Sequence, residues 1–414
     1  MSISFKIKIQ GYLQHINRLF FLIMVATIPL PNKISSLAIV CFCVSSLFIK
    51  SFPTFRTSTK SSKFWCWSVA YFFWMFLSLF WEPSKVNILK SLESYTSFLL
   101  LIPVIALNPG LTRNMVKRSN HIFVIAVLLI TLTCYFRSAV EYLQAGDYRV
   151  FYYHYLSGQV KLNAIYLSLY CSYSFFVILY YYNSISAKYD ASGRILFIIL
   201  SIFLSITVVL LSSKMIIVFH FLALLVLAIR WFARKKRLIL GICIILLFSG
   251  LSVVLVWNLP YLKWRVQETL FKKYENNRDD QNGFAVRQKI WQYSVELVRE
   301  KPIFGHGLRS GYQQLLNKYE EHNFKVGIEA GYNAHNNYLQ IWLNCGVIGV
   351  ILLLGLQFSA LKKALAERNF LLTIFMFLVI SLCLTECVLE VQKGIVFFSI
   401  FCPLLIYHFK HEEI

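Results

Sequence analysis

The sequence predicts an all-α polytopic membrane protein, with about twelve transmembrane helices and one large outer loop containing amphipathic helices. Three observations lead there. Of 414 residues, 58% are hydrophobic and only 14% charged, where soluble domains carry about a quarter charged. Apolar runs recur along the whole chain at bilayer length, which is roughly 20 residues with about 17 tolerable. The formal charge is +22, from 41 Lys and Arg against 19 Asp and Glu. These basic residues lie scattered between the apolar runs rather than on one domain, which fits membrane topology and speaks against a nucleic-acid partner.

Taken in order, the predicted spans are 16–31, 34–49, 64–81, 92–107, 121–143, 160–183, 195–212, 215–232, 238–259, 336–358, 370–389 and 394–409. The first two, split at Pro31, also read as a tight helical hairpin. With the amino terminus inside, the connections assigned to the cytoplasm hold 21 basic residues and the short outer connections and helix ends, the large outer loop left aside, hold 8, so both termini come out cytoplasmic. The opening order of Lys6, Lys8 and Arg18 before an apolar run is like a signal peptide. No small-x-small cleavage site follows, and the expectation is an uncleaved first helix. The chain thus divides into helices one to nine (1–259), a large outer loop (260–335) and helices ten to twelve (336–414).

Within the outer loop, 283–300 is periodic as an amphipathic helix, with Ile290, Trp291, Ser294, Val295 and Val298 on one stripe and Pro302 as the stop. Gly305 and Gly307 supply a turn, and 312–321 suits a second short helix. The cluster Glu275, Asp279 and Asp280 is expected to be a solvated tip. All ten cysteines lie in or beside apolar runs, as small buried hydrophobes rather than a disulfide or zinc framework. No carboxylate cluster of Mg²⁺ type appears on the outer side, so neither metal nor cofactor is expected.

Polar groups at membrane depth are costly and point to pairing or function. Lys214 sits with Ser212 and Ser213 in a tight outer turn, either as a snorkelling helix end or as a cation for an anionic lipid head group. Arg287 stands four residues before Trp291, on one helix face, where a guanidinium suits a diphosphate. His335 lies among Asn333, Asn336 and Asn337, whose amides suit sugar hydroxyls, and a neutral imidazole is a workable base. His306, between two glycines, reads as a turn residue. Glu386 and Glu390 are spaced i, i+4 at the outer end of the eleventh span, and an ion pair with Lys393 or Lys214 is favoured over an acceptor site. Arg149, His154 and Lys161 with Tyr148, Phe151, Tyr152, Tyr153 and Tyr155 form an interfacial belt.

The order of these pieces resembles a known family. Ser212-Ser213-Lys214 is followed by Arg287-x-x-x-Trp291 and then by Pro302-x-x-Gly305-x-Gly307. His335-Asn336-x-Tyr338-Leu339 leads into Gly346-x-x-Gly349. This is similar to the O-antigen ligase and polymerase superfamily, chiefly over 211–351. The resemblance implies a GT-C type architecture in a bacterial inner membrane. It also implies metal-independent, inverting transfer of a glycan from a polyprenyl diphosphate to an acceptor hydroxyl, lipid A–core above all, at the periplasmic face. Carried over, Arg287 and Lys214 bind the diphosphate with Ser213 beside them, His335 is the base, and Asn336, Trp291, Glu386 and Glu390 lie near substrate. Lys214 departs from the family's usual arginine and gives up the bidentate fork. Polymerases and protein O-oligosaccharyltransferases share this chemistry. A twelve-span transporter is the alternative of another class, and visible repeat halves, often seen in transporters, are lacking.

Overall fold

The computed structural model describes residues 3–49, 64–83, 92–185, 191–236 and 283–409. The ninth predicted span and the acidic cluster lie outside the described residues. Among those described, every regular element is helical. Helices α1 (Ile3–Thr27) and α2 (Asn32–Leu47) pack together on either side of Pro31, the alternative of the two readings of this stretch, and α1 starts well before residue 16. Then come α3 (Phe64–Leu77), α4 (Thr96–Leu107), α5 (Arg113–Ala145), the short α6 (Tyr153–Gly158), α7 (Ala164–Ile185), α8 (Ala191–Leu210) and α9 (Lys214–Arg234). The loop helices are α10 (Gly283–Glu300), α11 (Ser310–Glu321) and α12 (Lys325–Ala330), followed by α13 (Asn337–Ala366), α14 (Phe370–Cys383) and α15 (Gln392–Tyr407).

Among the described residues, six helices, including α5, α7, α8, α9 and α13, are long and apolar enough to cross a membrane, and α2, α4, α14 and α15 are shorter apolar helices of 10–17 residues. Composition explains their arrangement. Helix α15 is buried along nearly its whole length, and Phe397 and Phe401 pack on Phe123, Tyr173 and Phe375. By contrast α8 and α9 expose Ile198, Ile202, Val218 and Leu222, an apolar surface suited to lipid. The chain is thus a multi-pass, all-helical membrane protein.

The eleventh span ends early. Its helix stops at Cys383 and residues 384–391 run as turns, so Glu386 and Glu390 do not share a helical face. Lys393 pairs with neither of them. Its ammonium donates to Ile28 O at 2.8 Å, to Leu30 O, and to Ser35 Oγ at 3.3 Å, neutralising carbonyls just past the end of α1.

Helices α10 to α12 form a cap with its own apolar centre of Ile290, Tyr293, Leu297, Leu315, Tyr319 and Phe324. Helix α10 begins and ends where the periodicity predicts, but the buried stripe is shifted. Val286, Tyr293 and Leu297 are inside while Val295 is exposed, because α11 and Phe324 pack on that side.

The cap is fastened where α13 is broken. Gly346 has φ +69° inside an otherwise continuous helix, which interrupts the backbone ladder. The freed carbonyls find partners in the 302–307 strip and in α3. His306 N donates to Leu343 O and Gly307 N to Asn344 O, both at 2.9 Å. The Trp74 indole donates to Cys345 O at 2.9 Å. In return Val347 N and the Trp342 indole donate to Pro302 O at 2.9 and 3.0 Å. A Cβ on Gly346 would overlap the Ile303 carbonyl, so backbone meets backbone with no room for a side chain. Phe304 packs against both Trp74 and Trp81, which also touch each other. Glu82, just beyond α3, accepts from Arg309 N at 2.8 Å and Ser310 N at 3.1 Å. A carboxylate from another segment thereby caps the positive end of α11.

Candidate active site

The loop 331–336 is where the cap meets α13, and it is held from several sides. Tyr312 hydroxyl donates to Gly331 O at 2.7 Å and Tyr319 hydroxyl to Tyr332 O at 3.2 Å. Ala334 donates its amide to Gln340 Oε1 at 2.8 Å, and the Trp291 indole donates to Ala334 O at 3.0 Å. His335 itself takes φ +42°, an unfavourable backbone region for a side-chain-bearing residue. Its amide donates to Asn333 Oδ1 at 3.0 Å. Asn336 then caps α13, accepting from Tyr338 N and Leu339 N at 3.0 and 3.1 Å, while its amide nitrogen donates to Leu384 O at 3.1 Å. Strain of order 1–3 kcal/mol persists only where surrounding contacts over-determine it, and that is the situation of His335.

The strained turn points the imidazole at Glu386. His335 Nδ1 lies 3.0 Å from Glu386 Oε2, and the Arg287 guanidinium binds Glu386 Oε1. One carboxylate therefore joins two residues 48 positions apart, each on a separate oxygen. All three side chains are partly open to a cavity of about 880 Å³. Lys214 and Ser213 line the same cavity, as do His154 and Tyr166. Lys214 is the first residue of α9, after Ser212 at φ +50° and the N-cap Ser213, and its ammonium lies close to Gly283, the first residue of α10.

Most of the residues singled out in the sequence converge, with different tasks. Lys214, Ser213, Arg287, His335 and Glu386 share the cavity. Glu386 does form an ion pair, but with Arg287, and it hydrogen-bonds His335; it does not pair with Lys393 or Lys214. Trp291 and Asn336 spend their polar atoms fastening the backbone on either side of His335. Glu390 is separate, in a neighbouring cavity of about 460 Å³. His306 is a turn residue as expected, buried, with its imidazole bonded to Leu297 O at 2.8 Å. Of the belt, Tyr153 and His154 reach the first cavity. Glu82 was not visible in the sequence, because a lone acid after an apolar helix gives no sign of which distant helix it caps.

Chemically, a carboxylate accepts from Nδ1–H and leaves Nε2 with its lone pair. The guanidinium has five N–H donors and spends one nitrogen on Glu386. The cavity thus combines a held imidazole, a guanidinium and an ammonium, the components needed to accept a proton and to steady an anion.

Residues 199–354 match the family model described as O-antigen ligase. That segment runs from α8 into α13 and includes Lys214, Arg287, His335 and Gly346, whereas Glu386 lies beyond it. A Rickettsia conorii protein described as a polysaccharide ligase is 36% identical over 94 residues, 22% of this chain and 23% of that protein. The exopolysaccharide production protein ExoQ of Rhizobium meliloti is 30% identical over 89 residues, 20% of each chain. The chain matches about a fifth of the length of these relatives. The motif order and the family match coincide on one stretch, residues 199–354, where this chain is similar to the O-antigen ligase family.

Proposed function

We propose that this protein transfers a glycan from a polyprenyl diphosphate carrier to an acceptor hydroxyl, at the outer face of a bacterial inner membrane. The observation that carries the proposal is Glu386 holding Arg287 and His335 together at the wall of a cavity that Lys214 also lines. In this reading the diphosphate lies against Arg287 and Lys214. His335 Nε2 takes the proton of the acceptor hydroxyl as its oxygen attacks the anomeric carbon. The bond from that carbon to the phosphate oxygen breaks, and the carrier diphosphate leaves with the electron pair and inverts the centre. Its developing charge meets fixed cations in a poorly hydrated site, so the step needs no metal. Glu386 keeps the base in one tautomer and stabilises the imidazolium that forms. Lipid A–core is the acceptor we favour. The likeness to ExoQ supports a growing exopolysaccharide chain as the second reading.

The scaffold in this reading is a GT-C type bundle of twelve crossings with the cap outside. Cysteine placed at Arg309 is then labelled by an impermeant reagent in intact spheroplasts, and cysteine at Lys236 is not. The activity test uses purified protein in lipid with an undecaprenyl-diphosphate glycan, lipid A–core and a chelator, and no nucleotide. Transfer is expected, with Glu386→Gln about 10² slower or worse through loss of the tautomer lock. A Glu386→Gln enzyme at the wild-type rate removes the bridge from the mechanism, and a wild type inert toward both acceptors removes the transfer reading.

A further inference from the structure

The cavity beside the charged one has a built wall of its own. It holds about 460 Å³, within the usual range for small-molecule pockets, roughly 300–1,000 Å³. A relay of neutral groups runs down one side. Ala334 N donates to Gln340 Oε1 at 2.8 Å, Gln340 Nε2 to Asn344 Oδ1 at 3.0 Å, and Asn344 Nδ2 to Glu390 Oε1 at 3.1 Å. Burial pushes the Glu390 carboxyl up to about 8. At neutral pH it is then mainly an uncharged acid that both donates and accepts. Tyr312 lines the same space, and Asn333 and Val391 belong to both cavities.

This wall contrasts with its neighbour. The charged cavity presents Arg287 and Lys214, which suit a diphosphate. The second presents amides, a neutral carboxyl and tyrosine, with Arg309 exposed at one part of its lining. Paired donors and acceptors beside an aromatic face match a sugar ring, which offers hydroxyls at its edge and C–H groups on its face. Asn333, one of the two shared residues, also holds the amide of His335, so a ligand in the second cavity lies next to the loop that carries the base.

We propose that the second cavity is the acceptor socket. It seats a neutral glycosyl residue against Tyr312 and the Gln340–Asn344–Glu390 wall and passes the reacting hydroxyl by Asn333 toward His335. The proposal rests on reading the charged cavity as the donor site. It adds that donor and acceptor occupy separate sockets, so their affinities can be changed independently.

The test is isothermal titration of full-length protein in nanodiscs with two probes, deacylated lipopolysaccharide core oligosaccharide and the free repeat-unit oligosaccharide of the same glycan. One of them is expected to bind the wild type. Ser94→Trp fills the cavity from its edge and should weaken that binding at least tenfold. Glu390→Ala should weaken it about 3–10-fold, the equivalent of a hydrogen bond or so, and Glu390→Gln should restore it. In transfer assays the same variants should raise the acceptor KM and leave the donor KM unchanged. Wild type binding neither probe, or binding undiminished in Ser94→Trp, overturns the acceptor socket. Should Glu390→Ala fail to insert, Ser94→Trp decides alone. Binding that is lost in Ser94→Trp from a wild type that transfers no glycan keeps the socket and removes only the transfer chemistry.

Discussion

The two ends of the family signature meet α13 in opposite ways. At its amino terminus, His335 and Asn336 act through side chains, and the loop exists to aim one imidazole. Nine residues after Asn337, at Gly346, only the backbone matters, and the 302–307 strip docks because side chains are missing there. Motif residues that look equivalent in the sequence are therefore chemical at one end and mechanical at the other. The two roles should separate on substitution, since one removes a reacting group and the other removes the joint that holds the cap.

The largest effect is expected at the chemical end. His335→Ala should lower kcat by about 10²–10⁴ with the melting temperature and donor binding nearly unchanged. A comparable loss of thermal stability would place His335 in the joint instead. Gly346→Ala should show the reverse pattern. The added methyl meets the Ile303 carbonyl at a left-handed φ, and steric and backbone costs together amount to about 3 kcal/mol or more. Reduced yield and a lowered melting temperature are the expected readouts, and wild-type melting would show that the break is not needed.

Trp291 bridges the comparison, because its ring belongs to the cap and its indole fixes Ala334 O. Trp291→Phe keeps the ring and deletes one hydrogen bond of about 1 kcal/mol, for roughly a fivefold loss of kcat. Loss of yield with kcat intact would return it to packing alone.

The last expected effect is a slope with pH. Glu390, in the turn between α14 and α15, has its carboxyl raised by burial from 4.5 to about 8. Below pH 4.5 it is protonated whether folded or unfolded. Between the two values the folded chain keeps a proton that the unfolded chain releases, so stability falls as pH rises and levels off above about 8. Melting should drop by a few degrees across that window in the wild type, and the Glu390-dependent part of the drop should vanish in Glu390→Gln. An identical slope in both would assign it to other groups.

Much of this was legible from local pattern. Helix α10 runs over 283–300 as its periodicity and Pro302 require, and the site residues on its first turns follow. The break in α13 was hidden because 341–356 reads as one apolar run, and hydropathy does not register a left-handed glycine. Glu386 was misplaced for a related reason. Leu384, Cys387, Val388 and Leu389 prolong the apolar signal past Cys383, so a turn read as two more coils of helix. Its partners come from α10 and the 331–336 loop, contacts that only tertiary packing creates.

The break at Gly346 also constrains the order of assembly. Unpaired carbonyls are intolerable in hydrocarbon, and those of Leu343, Asn344 and Cys345 gain their partners from the 302–307 strip and from α3. Before that strip docks, the 337–366 segment is better satisfied as an uninterrupted helix. The kinked form, with the cap seated over it, is then a late product of folding rather than a property of the segment itself.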